Sequence, residues 1–176
     1  MLFVETMTGC VASLPPSPTL EESRRASELV DQGTALLRRG ALKEAQASFE
    51  VSFDLDQTAA ALDGLGCVAF LSGDVELARD YFLLAYEQDH SYSQSLANLA
   101  LLYDYIGAKE ESRVLFERAL GGDVDNAPTR NNLGVLLEEG GAKSAATSEM
   151  FRAYVVLPHE IIGKNLEQIG EKPWRQ

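Results

Sequence analysis

One spacing constrains this chain more than any other feature: small and large residues return at nearly constant steps of 34. Gly33, Gly66, Ala100 and Gly134 stand 33, 34 and 34 residues apart. Gly40, Gly73, Gly107 and Gly141 keep the same steps, as do Ala45, Ala78, Ser112 and Ala146. A large column runs Phe49, Phe82, Phe116, Met150, and a second small column runs Ser52, Ala85, Ala119, Ala153. Five columns in one register define four copies of a unit, of which Ala59 to Tyr92 is the clearest. Inside it Leu62, Leu65, Gly66 and Ala69 share one helical face, Ala78, Phe82 and Ala85 share another, and Gly73-Asp74 separates them. The unit is helix, turn, helix. Small residues let the two helices approach, the large ones fill the space between, and glycine supplies the left-handed residue that ends the first helix. One such pair cannot bury both of its faces, so the copies must stack.

A period of 34 with this content resembles the tetratricopeptide repeat. The resemblance covers Ala26 to Glu160. It implies an all-α fold, a right-handed superhelical stack of helix-turn-helix units (an α-solenoid). The repeats would be 26–58, 59–92, 93–126 and 127–160 within a domain of 23–160, after an N-terminal segment or tether of 1–22. Residues 161–176 read as a capping helix and tail, with Ile161, Ile162, Leu166 and Ile169 on the covering face. Helix starts are marked by Thr19 with Glu21 and Glu22 in the first turn, by Asp74, and by Asn126 followed by Pro128. The first helix should end near Arg39 and the second run from about Leu42 to Leu55.

Charge narrows the partner. Fifteen basic residues against 27 acidic ones give a net charge of −12, which disfavours a nucleic-acid backbone because phosphate binding needs clustered Lys and Arg. From Glu44 to Ala108 only Arg79 is basic. Such a stretch reads either as a solvated acidic surface or as one that attracts a basic protein or peptide partner. Catalysis has little support: His90 and His159 fall at inter-repeat turns, and no phosphate loop, HExxH helix or nucleophile elbow occurs. No cofactor or metal is expected, since Cys10 and Cys67 lack metal-ligand spacing. Cys67, amid small residues of a helix, reads as a buried structural thiol.

The resemblance implies that first helices line a concave groove. The outward places would then be Val30, Asp31 and Thr34; Asp63, Gly64 and Cys67; Ala97, Asn98 and Leu101; Asn131, Asn132 and Val135. Asn98 and Asn132 are equivalent, and an asparagine can hold a peptide bond through a donor and an acceptor together. Farther along come Phe70 and Leu71, Asp104 and Tyr105, Glu138 and Glu139. The expected peptide-binding set is Asn98, Asn131, Asn132, Asp63, Asp104, Tyr105, Glu138 and Glu139. The basic clamp of family members that serve heat-shock chaperones does not transfer, because Val30, Asp63, Gly64 and Gln94 stand at its places beside Asn98. The implied function is a non-enzymatic scaffold or adaptor that binds an extended peptide or a helix in the groove.

Met7-Thr8-Gly9-Cys10 resembles a bacterial lipobox, and the Ser-, Pro- and Thr-rich stretch that follows would suit a tether. That resemblance implies lipidation at Cys10 and an outer-membrane lipoprotein facing the periplasm, similar to repeat lipoproteins that help assemble type IV or Flp-type pili and secretin pores. The membrane would be touched only through this anchor. The alternative is an N-terminal tail with an isolated Gly-Cys, on a cytoplasmic chaperone for secreted subunits.

Overall fold

The computed structural model describes residues 17–171; Cys10 and its lipobox-like surroundings lie outside them. The described residues form nine helices and no strand. These are α1 (Leu20–Arg38), α2 (Leu42–Leu55), α3 (Ala59–Leu71), α4 (Val75–Gln88), α5 (Ser93–Tyr105), α6 (Lys109–Gly122), α7 (Ala127–Glu139), α8 (Lys143–Val156) and α9 (Glu160–Gln168). The chain is a solenoid of four helix pairs, α1–α2 to α7–α8, closed at one end by α9.

Turn chemistry repeats with the sequence. Gly40, Gly73, Gly107 and Gly141 all take φ between 73° and 88°. The following N–H then folds back to the helix it leaves: Ala41 to the Leu36 carbonyl at 3.0 Å, Asp74 to Ala69 at 2.9 Å, Ala108 to Tyr103 at 2.9 Å, Ala142 to Leu137 at 2.8 Å. Only glycine enters that region without a steric penalty, so the column fixes the angle between partners. Several starts are capped as their residues dictate. Thr19 and Glu22 form a reciprocal capping box, Thr58 and Asp74 accept from Ala61 and Leu77, and Asn126 accepts from Thr129 with Pro128 in the first turn.

The small columns are slots for the large one. A methyl group on Gly33 would lie 2.7 Å from the Phe49 ring, and one on Gly64 only 2.3 Å from it, so that ring is held from both sides. Gly66 receives Phe82 in the same way, and Gly134 receives Met150. All four large residues are buried, at most 3% exposed. Ser52, fully buried, donates its hydroxyl to the Ala26 carbonyl at 2.8 Å and ties α2 to α1. The leucine column Leu29, Leu62, Leu96 ends in Arg130, which is buried in the fourth repeat. Its Nε donates to the Val124 carbonyl at 2.8 Å and its Nη1 pairs with Glu149. Leu29 is only half-buried, because no described helix precedes α1.

Two expectations need correction. In α9 and its C-cap, Ile162, Leu166 and Ile169 are buried but Ile161 is exposed. Neighbouring helical residues point about 100° apart, and α9 covers the stack with one face only, so Ile162 turns in and Ile161 out. Cys67 is half-buried rather than fully enclosed.

Each first helix packs on its own partner and also on the first helix of the next repeat, α1 on α3, α3 on α5, α5 on α7. No comparable contact joins the second helices of the described residues. The first helices therefore crowd the inner side of the curve, where the concave groove lies.

Candidate functional site: the concave face

Asp63, placed by its repeat position on the groove, is instead 5% exposed. Asn98 donates its Nδ2 to both carboxylate oxygens at 2.9 Å, and the Tyr92 hydroxyl reaches one of them at 3.5 Å. The Asn98 carbonyl oxygen accepts from Gln94 Nε2 at 3.1 Å. Asn131 is buried too, and its side-chain oxygen accepts from Asn165 of α9 at 2.9 Å. The physical reason is the curvature itself. Consecutive first helices press together on the inner side, so a polar side chain at the fifth place of one repeat meets a polar side chain of the next helix. Asp63 and Asn131 are thus turned into the seams between repeats, and Asn98 is engaged there.

The seam around Asp63 is electrostatically strained. Burial pushes its carboxyl up to about 6, against the opposing pull of the Asn98 and Tyr92 hydrogen bonds. Burial and the nearby Asp63 carboxylate also push the Cys67 thiol up to about 12, which makes it a poor nucleophile. Tyr92 is held above its ordinary range, first by burial and then by Asp63.

Other expected residues do face the groove. Tyr105 is 70% exposed and meets Phe70 edge-on, with ring centres 5.2 Å apart. Leu71 and Leu101 are exposed beside them. Asn132 is half-buried, and Glu138 is exposed. Asp104 and Glu139 both bind Lys109 Nζ, at 2.6 and 2.7 Å, which neutralises part of the expected acidic wall. Lys109 opens α6, and sequence reasoning missed it because nothing in its own helix announces a reach to α5 and α7. The first helices thus present an apolar, aromatic strip from α3 to α5, with carboxylates and an amide farther along on α7.

No family model matches the chain, and no curated protein matches it in sequence. Solved structures do resemble it, and they show the tetratricopeptide-repeat fold. PilF of Pseudomonas aeruginosa superposes with a TM-score of 0.74 at 15% identity, over 85% of this chain and 69% of that one. A chain of the APC/C hetero-tetramer Cut9–Hcn1 gives 0.69 at 17% identity, covering 83% of this chain. This chain spans only 30% of that one. YrrB, a tetratricopeptide-repeat protein with an unusual peptide-binding site, gives 0.60 at 18% identity over 81% of this chain and 74% of its own. At these identities the likeness is one of fold.

Proposed function

We propose that this chain is a non-enzymatic adaptor that holds an extended peptide or a helix of a partner protein in its concave groove. The observation that carries the reading is the strip of exposed Leu71, Leu101 and Tyr105 on two adjacent first helices, with half-buried Phe70 edge-on to Tyr105. Large apolar side chains held out in water gain most from being covered, and exposed tyrosines often anchor interfaces. Asn132 and Glu138 lie farther along on α7 and supply polar contacts. The net charge of −12 favours a basic partner. Tyr105→Ala should weaken binding by about 2 kcal/mol, roughly thirtyfold. Folding should barely respond, because exposed substitutions usually stay within about 0.5 kcal/mol. The measurement is titration of peptides tiled from a co-purified partner against wild type and variant. Equal affinities would remove the concave strip as the binding face.

The setting is proposed separately. The segment Met7 to Cys10 supports a lipid anchor and a place in the bacterial envelope, in pilus or secretin assembly. Native protein should partition into detergent and carry a diacylglycerol mass on Cys10, and Cys10→Ser should return it to the soluble fraction. Native protein intact at Met1, soluble and unmodified, would replace this setting with that of a cytosolic chaperone for secreted subunits.

A further inference from the structure

The face opposite the concave groove carries a second apolar surface. Because the second helices stand apart, a groove of about 540 Å³ opens between α4 and α6. Leu99 and Tyr103 of α5 form its floor, with Leu83 on one wall and Val114 and Leu115 on the other. Leu83 is 39% exposed and Val114 46%.

The repeats serve as internal controls. At the place of Leu83, repeats one and three carry Glu50 and Glu117. At the place of Val114, repeat two carries Asp80 and repeat four carries Ser148. The fold therefore does not require apolar residues at these places, yet two are exposed across this groove. In repeat four the place of Leu83 holds Phe151, which is half-buried against the cluster of Met150, Leu166 and Ile169. Two of that cluster's residues come from α9, so an apolar residue at this place already has helical neighbours once in this molecule. Glu110 and Glu111 line one end of the groove, Glu110 paired with Arg113 and Glu111 in no ion pair among the described residues. At the other end Glu87 lies one turn beyond Leu83 on α4, and Arg118 lies one turn beyond Val114 on α6, over the Tyr86 ring.

We propose that this convex groove is a second docking surface, for an amphipathic helix of a partner protein. Its apolar stripe would lie on Leu83 and Val114 over Leu99 and Tyr103, and its Lys or Arg side chains would face Glu111. Such a helix offers apolar anchors at i, i+3 or i+4 and i+7, the spacing that fills a groove between two helices. A second copy of this chain fits worse, since a two-fold contact would set the same carboxylates against each other. The surface is independent of the concave strip, and either can fail without the other.

The probe is a phage-displayed library of helical peptides of about 15 residues, with apolar residues fixed at helical spacing and the other places free. Selection uses the full chain, and the decoy is Leu83→Glu with Val114→Asp. Other repeats carry those residues at those places, so the decoy should keep its melting temperature. Leu83→Glu alone is a second decoy, with glutamate already at that place in two repeats. Selected peptides should be enriched in Lys and Arg, lose at least about tenfold in affinity on either folded decoy, and weaken as salt is added. They should bind Tyr105→Ala as they bind wild type. Peptides that keep their affinity for the decoys, or that are enriched in Asp and Glu, would overturn the proposal, as would a selection with no binder above the decoy background. A wild-type dimer abolished by the decoys would overturn it in favour of a second copy.

Discussion

Phe82→Ala is expected to destabilise the folded chain by about 3–5 kcal/mol, the cost of emptying a buried aromatic site. The ring is 3% exposed and packs among Ala69, Ala78, Leu99 and Leu102, with Gly66 beneath it. Most of those neighbours are too small, and all are too firmly set in helices, to close the space. The ring also joins repeat two to Leu99 and Leu102 of repeat three, so its loss weakens a seam as well as a pair. The midpoint of urea unfolding should fall while the slope of the transition stays unchanged. A loss under about 1 kcal/mol would mean that the ring is not wedged between these helices.

Asp63→Asn is expected to stabilise the chain at neutral pH. In the fold the carboxyl is pushed up to about 6 from the ordinary 3.8, chiefly by burial. Between those values the native state binds more protons than the unfolded one, so stability falls as pH rises through the interval. Above it the full penalty of the buried charge applies, about 3 kcal/mol. Asparagine keeps an oxygen to accept from Asn98 and carries no charge to bury. The variant should therefore gain up to about 3 kcal/mol at pH 7, and its stability should be flatter than that of wild type between about pH 4 and 6. Near pH 3.5 the two should converge. The check is a set of melting curves across that interval. A variant that melts below wild type at pH 7 would show that the bonds from Asn98 and Tyr92 outweigh the burial of the charge.

The helix pairs were legible because their determinants are periodic. Gly33 with Phe49 and Gly66 with Phe82 are pairs of a small and a large residue, and each copy repeats such a pair. The turn glycines at 40, 73, 107 and 141 are tied to one backbone angle, so they too recur. The concave face was less legible. Whether Asp63 points out or in depends on Asn98, 35 residues away in the next repeat, and Asn131 depends on Asn165 in the same manner. Each contact occurs once and leaves no column to read. Arg130 stands in a column of leucines, where its charge would mark it as exposed; Glu149, nineteen residues on, and the Val124 carbonyl explain its burial. Exposed Tyr105 was legible because nothing in the stack needs it.

The packing pattern has a mechanical consequence. Each helix touches the next one or the next but one, and nothing ties α1 to α9. Tension between the two ends would load the seams in series, unlike a globular core, whose contacts share a load side by side. The seam between α6 and α7 is the thinnest of the three between repeats: Phe116 and Leu120 reach α7, but α6 ends beyond them in Gly121-Gly122. A pull on this molecule would first peel off α9, whose contact with α8 is thinner still, and then part this seam, leaving three repeats on one side and the fourth on the other.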